Sequence, residues 1–170
     1  KTDITGRVIK AIIAACKTEP ALNAWFDTKS MARKLHDKIN LGIAMDSGEG
    51  LFVPVIQDIE NQTNDQLRET INNYKEQVKA RTIPQDKLKN ATIVLSNVGV
   101  FAGKYANPII VPPTVAILAT GKIREEVVPH EGKPAIHRIM PLSLTFDHRA
   151  ITGGEAARFL ATVIKELQAA

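Results

Sequence analysis

Cysteine is nearly absent: Cys16 is the only one in 170 residues. An internal disulfide and any cysteine-cluster metal site are therefore excluded, and a reducing compartment is favoured. Aromatic residues make up only 5%. The chain thus lacks the interleaved aromatic and basic residues that stack on bases, and no nucleic-acid partner is expected. No apolar run approaches the roughly 18 residues of a membrane span, and no signal-peptide pattern opens the chain, so no membrane role is expected. Also missing are H-E-x-x-H, a Walker-A run and a G-x-S-x-G elbow, which removes the zinc-protease, P-loop and serine-hydrolase readings. There is no internal repeat, low-complexity tract or interdomain linker. Lys1, not Met, stands first, and the chain reads as a fragment of something longer.

What is present is a globular composition. Hydrophobic residues reach 44%, enough for one domain with a real core. The net charge of +4 fits a solvated surface, with a secondary pull on a polyanionic ligand or acidic partner domain.

Periodicity predicts the main elements. Asp3 is a candidate N-cap, followed by Val8, Ile9, Ile12, Ile13 and Cys16 on one helical face, with Pro20 ending the helix. Cys16 on that stripe reads as a packed thiol. "LGIAMD" (41–46) and "LFVPVI" (51–56) flank "SGEG", a hairpin signal, and Pro54 marks the second run as an edge strand or bulge. Thr63 and Gln66 form a capping box before Leu67, Ile71, Tyr74 and Val78. "ATIVL" (91–95) is a strand that ends at the small-residue loop "SNVGVFAGKYANP". "VPP" (111–113) is a stiff linker, and "TVAILATG" (114–121) a buried strand. Residues 136–146 form a strand interrupted by Pro141. Ala156, Ala157, Leu160, Val163, Ile164 and Leu167 stripe a last helix. Long helices between non-consecutive strands give an α/β two-layer sandwich with a mixed β-sheet.

Chemistry concentrates at two junctions. His36 sits in a charged stretch, His130 in a hydrophilic turn and His137 at a strand start, all reading as surface or structural. His148 follows the alternating strand "LSLTF" and precedes Gly153-Gly154 at a helix start. Such junctions present side chains to ligands; a satisfied core histidine is the rival reading. Ser96, in Ser96-Asn97-Val98-Gly99, also follows a strand. It is either a turn-former bonding its own backbone or a hydrogen-bond donor to an oxyanion.

These residues carry a resemblance. "LTFDHRAITGGEAARFL" (144–160) resembles the C-terminal signature of dihydrolipoamide acyltransferases, the core components of 2-oxo acid dehydrogenase complexes. "GEGLFVPVI", "ATIVLSNVG" and "VPPTVAILATGKI" resemble further blocks of that catalytic domain, in the same order. Chloramphenicol acetyltransferase is similar in its terminal histidine motif and implies its fold for this chain, but lacks the three upstream blocks in this form.

The resemblance implies acyl transfer between dihydrolipoyl-lysine on a separate carrier domain and coenzyme A as substrate. His148 becomes the general base and Ser96 the oxyanion donor, with Asn97 and Gly99 of the same block expected at the coenzyme. No metal is implied. Most family members carry Asp four residues after the histidine; here Thr152 stands there, a departure that marks a subtype and bears on catalysis. Residues 1–170 are expected to be the catalytic domain without its N-terminal segment, with lipoyl and subunit-binding domains absent. Implied partners are the lipoyl domain, the decarboxylase, dihydrolipoamide dehydrogenase and further copies of the chain. The copies form a homotrimer with His148 of one facing Ser96 of the next, and trimers build 24-mers or 60-mers in the intact protein. The family ends in an apolar tail where this chain ends "KELQAA", which implies weakened higher assembly. The implied location is the bacterial cytoplasm, or alternatively the mitochondrial matrix. A non-catalytic scaffold and an antibiotic O-acetyltransferase are the competing functions.

Overall fold

The computed structural model describes residues 3–100 and 103–169. Lys1, Thr2, Ala170 and, within the small-residue loop, Phe101 and Ala102 lie outside the described residues. In chain order the elements are α1 (Ile4–Thr18), β1 (Ala24–Asp27), β2 (Ala32–Leu35), β3 (Leu41–Asp46), β4 (Leu51–Phe52), β5 (Val55–Ile56), α2 (Asn64–Lys79), β6 (Ile93–Asn97), β7 (Ala116–Thr120), β8 (Arg124–His130), β9 (Lys133–Ile139), β10 (Leu142–Phe146) and α3 (Gly153–Gln168).

The main sheet runs β10-β7-β6-β3-β4, with β5 also paired to β3. β3, β6 and β7 are parallel, while β10 and the short β4 and β5 run antiparallel. The sheet is therefore mixed, as the separation of its strands in sequence requires. Its core face is set by alternation: Leu41, Ile43, Ile93, Leu95, Ala116 and Leu118 are buried against Val8, Ile9 and Ile12 of α1, Leu67 of α2 and Phe159 and Val163 of α3. The opposite face carries Ala44, Ser96, Ala119 and Ser143 level with one another across four strands.

Several local expectations hold. Asp3 caps α1 by accepting from the Gly6 N–H at 3.0 Å. Thr63 and Gln66 form the reciprocal box on α2. Pro54 breaks the second hairpin run into β4 and β5, because proline cannot donate to the ladder, and its carbonyl still accepts from Ile43 N–H at 2.9 Å. Cys16 is buried, which pushes its thiol far above the ordinary range.

Other expectations need correcting. Ser96 and Asn97 belong to β6, because the ladder to Ala44, Ala119 and Thr120 continues past Leu95. The 136–146 strand is two strands in different sheets, separated at Met140-Pro141. Pro112-Pro113 turns before β7 rather than continuing extended. Along α3 the buried line is Ala156, Phe159 and Val163, while Ala157 and Ile164 are exposed, so the packed face is rotated from the predicted stripe. His130 ends β8 and His137 lies inside β9, in a hairpin closed by Glu131 and Gly132 at positive φ. Their rings meet at 4.8 Å. His36 is half-buried with its ring edge-on to Trp25 at 4.4 Å, and its pKa is lowered by burial and by Lys34.

Candidate active site

The His148 turn begins where β10 ends. Asp147 donates its N–H to the Val115 carbonyl at 2.8 Å, and its own carbonyl accepts from Ala150 and Ile151 N–H at 3.0 and 2.9 Å. These bonds curl the backbone into one tight turn before α3. The Asp147 carboxylate takes the Arg149 guanidinium in two bonds, at 3.0 and 2.6 Å, and the Arg149 N–H at 3.0 Å. These bonds to Arg149 hold its carboxyl below the usual carboxylate range. Arg149 also lies over the Phe26 ring, 4.8 Å from its centroid. His148, between them, is exposed, with its ring tilted on Phe146 at 5.5 Å. The core-histidine reading is thereby set aside: the imidazole faces outward from a turn pinned on both sides.

Thr152 is the N-cap of α3. Its hydroxyl accepts from Glu155 N–H at 3.2 Å and donates to Glu155 Oε2 at 3.0 Å, while its N–H donates to the same oxygen at 2.8 Å. The bond from the Thr152 N–H is the chief reason that the Glu155 carboxyl sits below its ordinary range, with Thr152's hydroxyl and Arg33 adding to it.

Ser96, half-buried, stands in the row of small side chains on the sheet face away from the helices. Above that face runs the 103–111 segment, whose Ala106 N–H donates to Ser143 Oγ at 3.2 Å. Asn97 alternates to the other face. With Gly99 it lines a cavity of about 680 Å³ that also touches Lys75, Lys122, Asp46 and Thr120. Gly99 is forced to be glycine: a Cβ there would overlap the Gly121 carbonyl, so the turn after β6 lies directly on the turn after β7.

The five predicted site residues thus fall into three places. His148 and Thr152 share one turn, Asn97 and Gly99 share the cavity, and Ser96 faces the small-residue row. Register keeps His148 and Ser96 apart within one chain. Phe146 pairs with Ala116, which is level with Ile93, three residues below Ser96. Three residues of strand and two inter-strand steps put Phe146 roughly 14 Å from Ser96, and His148 lies two residues beyond Phe146.

Sequence reasoning missed Arg33, whose guanidinium donates to the Ala150 carbonyl at 2.6 Å and to Glu155 Oε1 at 3.2 Å. The only signal for it was its place in a basic run, since the contact spans a separate hairpin. Among the described residues, no group of three or more His, Cys, Asp or Glu could hold a metal ion, and no helix is long and apolar enough to cross a membrane.

Solved structures with this fold include the cubic core of a pyruvate dehydrogenase multienzyme complex, with a TM-score of 0.92 and 29% identity over 98% of this chain and 69% of that one. Another is the Azotobacter vinelandii dihydrolipoamide acetyltransferase, with a TM-score of 0.91 and 29% identity over 96% and 68%. A serine, a histidine and an asparagine of that enzyme were investigated for their role in its catalytic mechanism. Its serine and histidine are separated by the same number of residues as Ser96 and His148, and its asparagine follows the histidine at the interval of Thr152. Chloramphenicol acetyltransferase, at 16% identity and a TM-score of 0.59, shares the fold. In sequence, the chain is 33% identical over 160 residues to the acetyltransferase component of the Mycoplasma genitalium pyruvate dehydrogenase complex. The match covers 94% of this chain but 42% of that relative, so the chain spans about two fifths of its length. Residues 1–170 match the catalytic-domain family of the 2-oxoacid dehydrogenases acyltransferases from end to end, and the chain belongs to that family.

Proposed function

We propose that this domain moves an acyl group between the dihydrolipoyl-lysine of a carrier domain and coenzyme A within a 2-oxo acid dehydrogenase complex. The observation that carries the reading is the serine, histidine and fourth-residue spacing shared with the Azotobacter enzyme on the same fold. His148 takes the proton of the incoming thiol. The sulfur attacks the thioester carbonyl, and the resulting oxyanion accepts a hydrogen bond from the Ser96 hydroxyl. Collapse expels the second sulfur, which recovers the proton from His148. A thiol of pKa about 8.5 is partly ionised near neutral pH, so an imidazole is a sufficient base.

The separation of His148 from Ser96 along the sheet supports a site made between two copies of the chain. His148 of one subunit then faces Ser96 of the next in a trimer. The exposed apolar side chains of Tyr105, Ile109 and Val111, which flank the Ser96 face, support burial there. Asn97 and Gly99 are assigned to coenzyme A, with Lys75 and Lys122 on the same cavity wall to meet its phosphates. Thr152 is assigned to holding the His148 turn rather than to a proton. The partners are a lipoyl domain, the decarboxylase and dihydrolipoamide dehydrogenase. Trimers are the basic unit, with 24-mers or 60-mers belonging to the intact protein. The bacterial sources of the relatives support a cytoplasmic location.

The test is a panel of acyl-coenzyme A donors with dihydrolipoamide as acceptor. Acetyl transfer is expected first, because the relatives are acetyltransferases. No thioester exchange with any donor, in a folded trimer, would leave the scaffold reading instead.

A further inference from the structure

Phe26 of β1 and Arg33 of β2 are paired directly across their hairpin, and each holds a different residue of the His148 turn. Phe26 lies beneath Arg149, and Arg33 donates both to the Ala150 carbonyl and to Glu155. This hairpin forms no ladder with the main sheet. Among the described residues its ties elsewhere include Phe26 N–H to Pro113 O, the Trp25 indole to Ala91 O and an isolated bridge between Trp25 and Thr114. An ordinary capping box needs only Thr152 and Glu155. The reach of Arg33 from more than a hundred residues away is additional. It converts the cap into a closed circuit of Ala150 carbonyl, Arg33, Glu155 and Thr152.

Resting on the proposed function above, we infer that Arg33 and Glu155 are positioning residues for His148, tying the turn that carries it to the first turn of α3 from outside the cap. Glu155 Oε2 accepts both the Thr152 N–H and its hydroxyl, so its carboxylate occupies the space just beyond the uncharged threonine. Arg33 neutralises the other oxygen and ties it to the turn. The side chains of Arg33 and Glu155 are 32% and 19% exposed, which leaves the pair partly shielded from solvent. Arg149 and Asp147 brace the near side of the turn, while Arg33 and Glu155 brace the far side. His148 stands between the two braces with no side-chain hydrogen bond of its own among the described residues, so its direction is set by the backbone that they hold.

The test uses the whole chain in two readouts. Histidine-labelled protein gives an imidazole NMR signal for His148, identified by its loss in His148→Ala. Arg33→Met is expected to shift or broaden that signal and leave those of His130 and His137 unmoved. In acyl transfer, Arg33→Met is expected to lower kcat by roughly 10- to 100-fold with little change in KM, since misplacing a catalytic group by about an ångström costs about that much. Arg33→Lys should recover part of the loss, because one ammonium cannot reproduce the forked contact. If Arg33→Met unfolds, Glu155→Gln carries the same test from the other partner. A His148 signal and a kcat both unchanged in a folded Arg33 or Glu155 variant would overturn the inference. Absence of acyl transfer in the wild type would count against the proposed function instead, and the NMR readout would still decide the brace.

Discussion

Replacing Thr152 with aspartate introduces the residue that the resemblance implies at this position, yet the structure predicts a loss of stability. Aspartate is as good an N-cap as threonine and suits the helix dipole, so the cap itself is nearly neutral to the change. The cost arises at Glu155, whose Oε2 receives both the Thr152 hydroxyl and the Thr152 N–H. Aspartate cannot donate, and it places a second carboxylate a few ångströms from the first. Two like charges about 4 Å apart at an effective dielectric near 20 repel by roughly 4 kcal/mol. Arg33, the helix N-terminus and solvent at this exposed cap offset much of that, leaving roughly 1–2 kcal/mol. For a domain of this size that lowers the melting temperature by about 3–6 °C. The pH dependence gives the sign. In the wild type the Glu155 carboxyl is depressed. Its stabilisation is therefore present above its unfolded pKa and lost as pH falls through the lower folded value. In Thr152→Asp the repelling pair is raised. Its penalty is present at neutral pH and relieved as pH falls through the ordinary carboxylate range, about 4. Thermal unfolding of both proteins at pH 7 and near pH 4 should show the gap closing on acidification. A variant at least as stable as wild type at pH 7, with no such convergence, would refute the reasoning.

Ser96→Ala should lower kcat by about 10²–10³ with KM little changed, because the bond strengthens only in the transition state. A change confined to KM would mark Ser96 as a ground-state contact. His148→Ala should lower acyl transfer by about 10²–10⁴ while circular dichroism and melting stay near wild type, since the ring is exposed. Phe159→Ala, at a fully buried ring, should cost about 3–5 kcal/mol in denaturant unfolding. A smaller loss would mean that the α3 interface collapses to fill the space.

The parts of this fold legible in sequence were those fixed by local chemistry. Asp3, Thr63 with Gln66, and the apolar face of α1 announce themselves because capping and helical periodicity act within a few residues. The β1–β2 hairpin and β8 are not legible in the sequence, for opposite reasons. β2 reads Ala-Arg-Lys-Leu and is exposed throughout, so it has no apolar alternation to detect. β8 contains Pro129 and acidic residues, features that argue against a strand and are tolerated only because this hairpin has two edges and no interior. The Thr152–Glu155 box is written in the sequence as T-x-x-E, the local pattern of a capping box. Ser96 and His148 were legible as residues, but their separation was not. It follows from β10 running antiparallel to β6, two strands away. The brace from Arg33 depends on tertiary placement alone and leaves no local pattern.

The central claim is that His148 and Ser96 act together across two copies of the chain. Coexpression of His148→Ala with Ser96→Ala tests it most directly. Each variant alone should be nearly inactive. Random assortment in a cyclic trimer pairs an intact His148 with an intact Ser96 at about a quarter of the interfaces. The mixture is therefore predicted to recover about a quarter of wild-type acyl transfer. A mixture no more active than its components would contradict the account, because it would confine the reaction to one chain or remove these two residues from it.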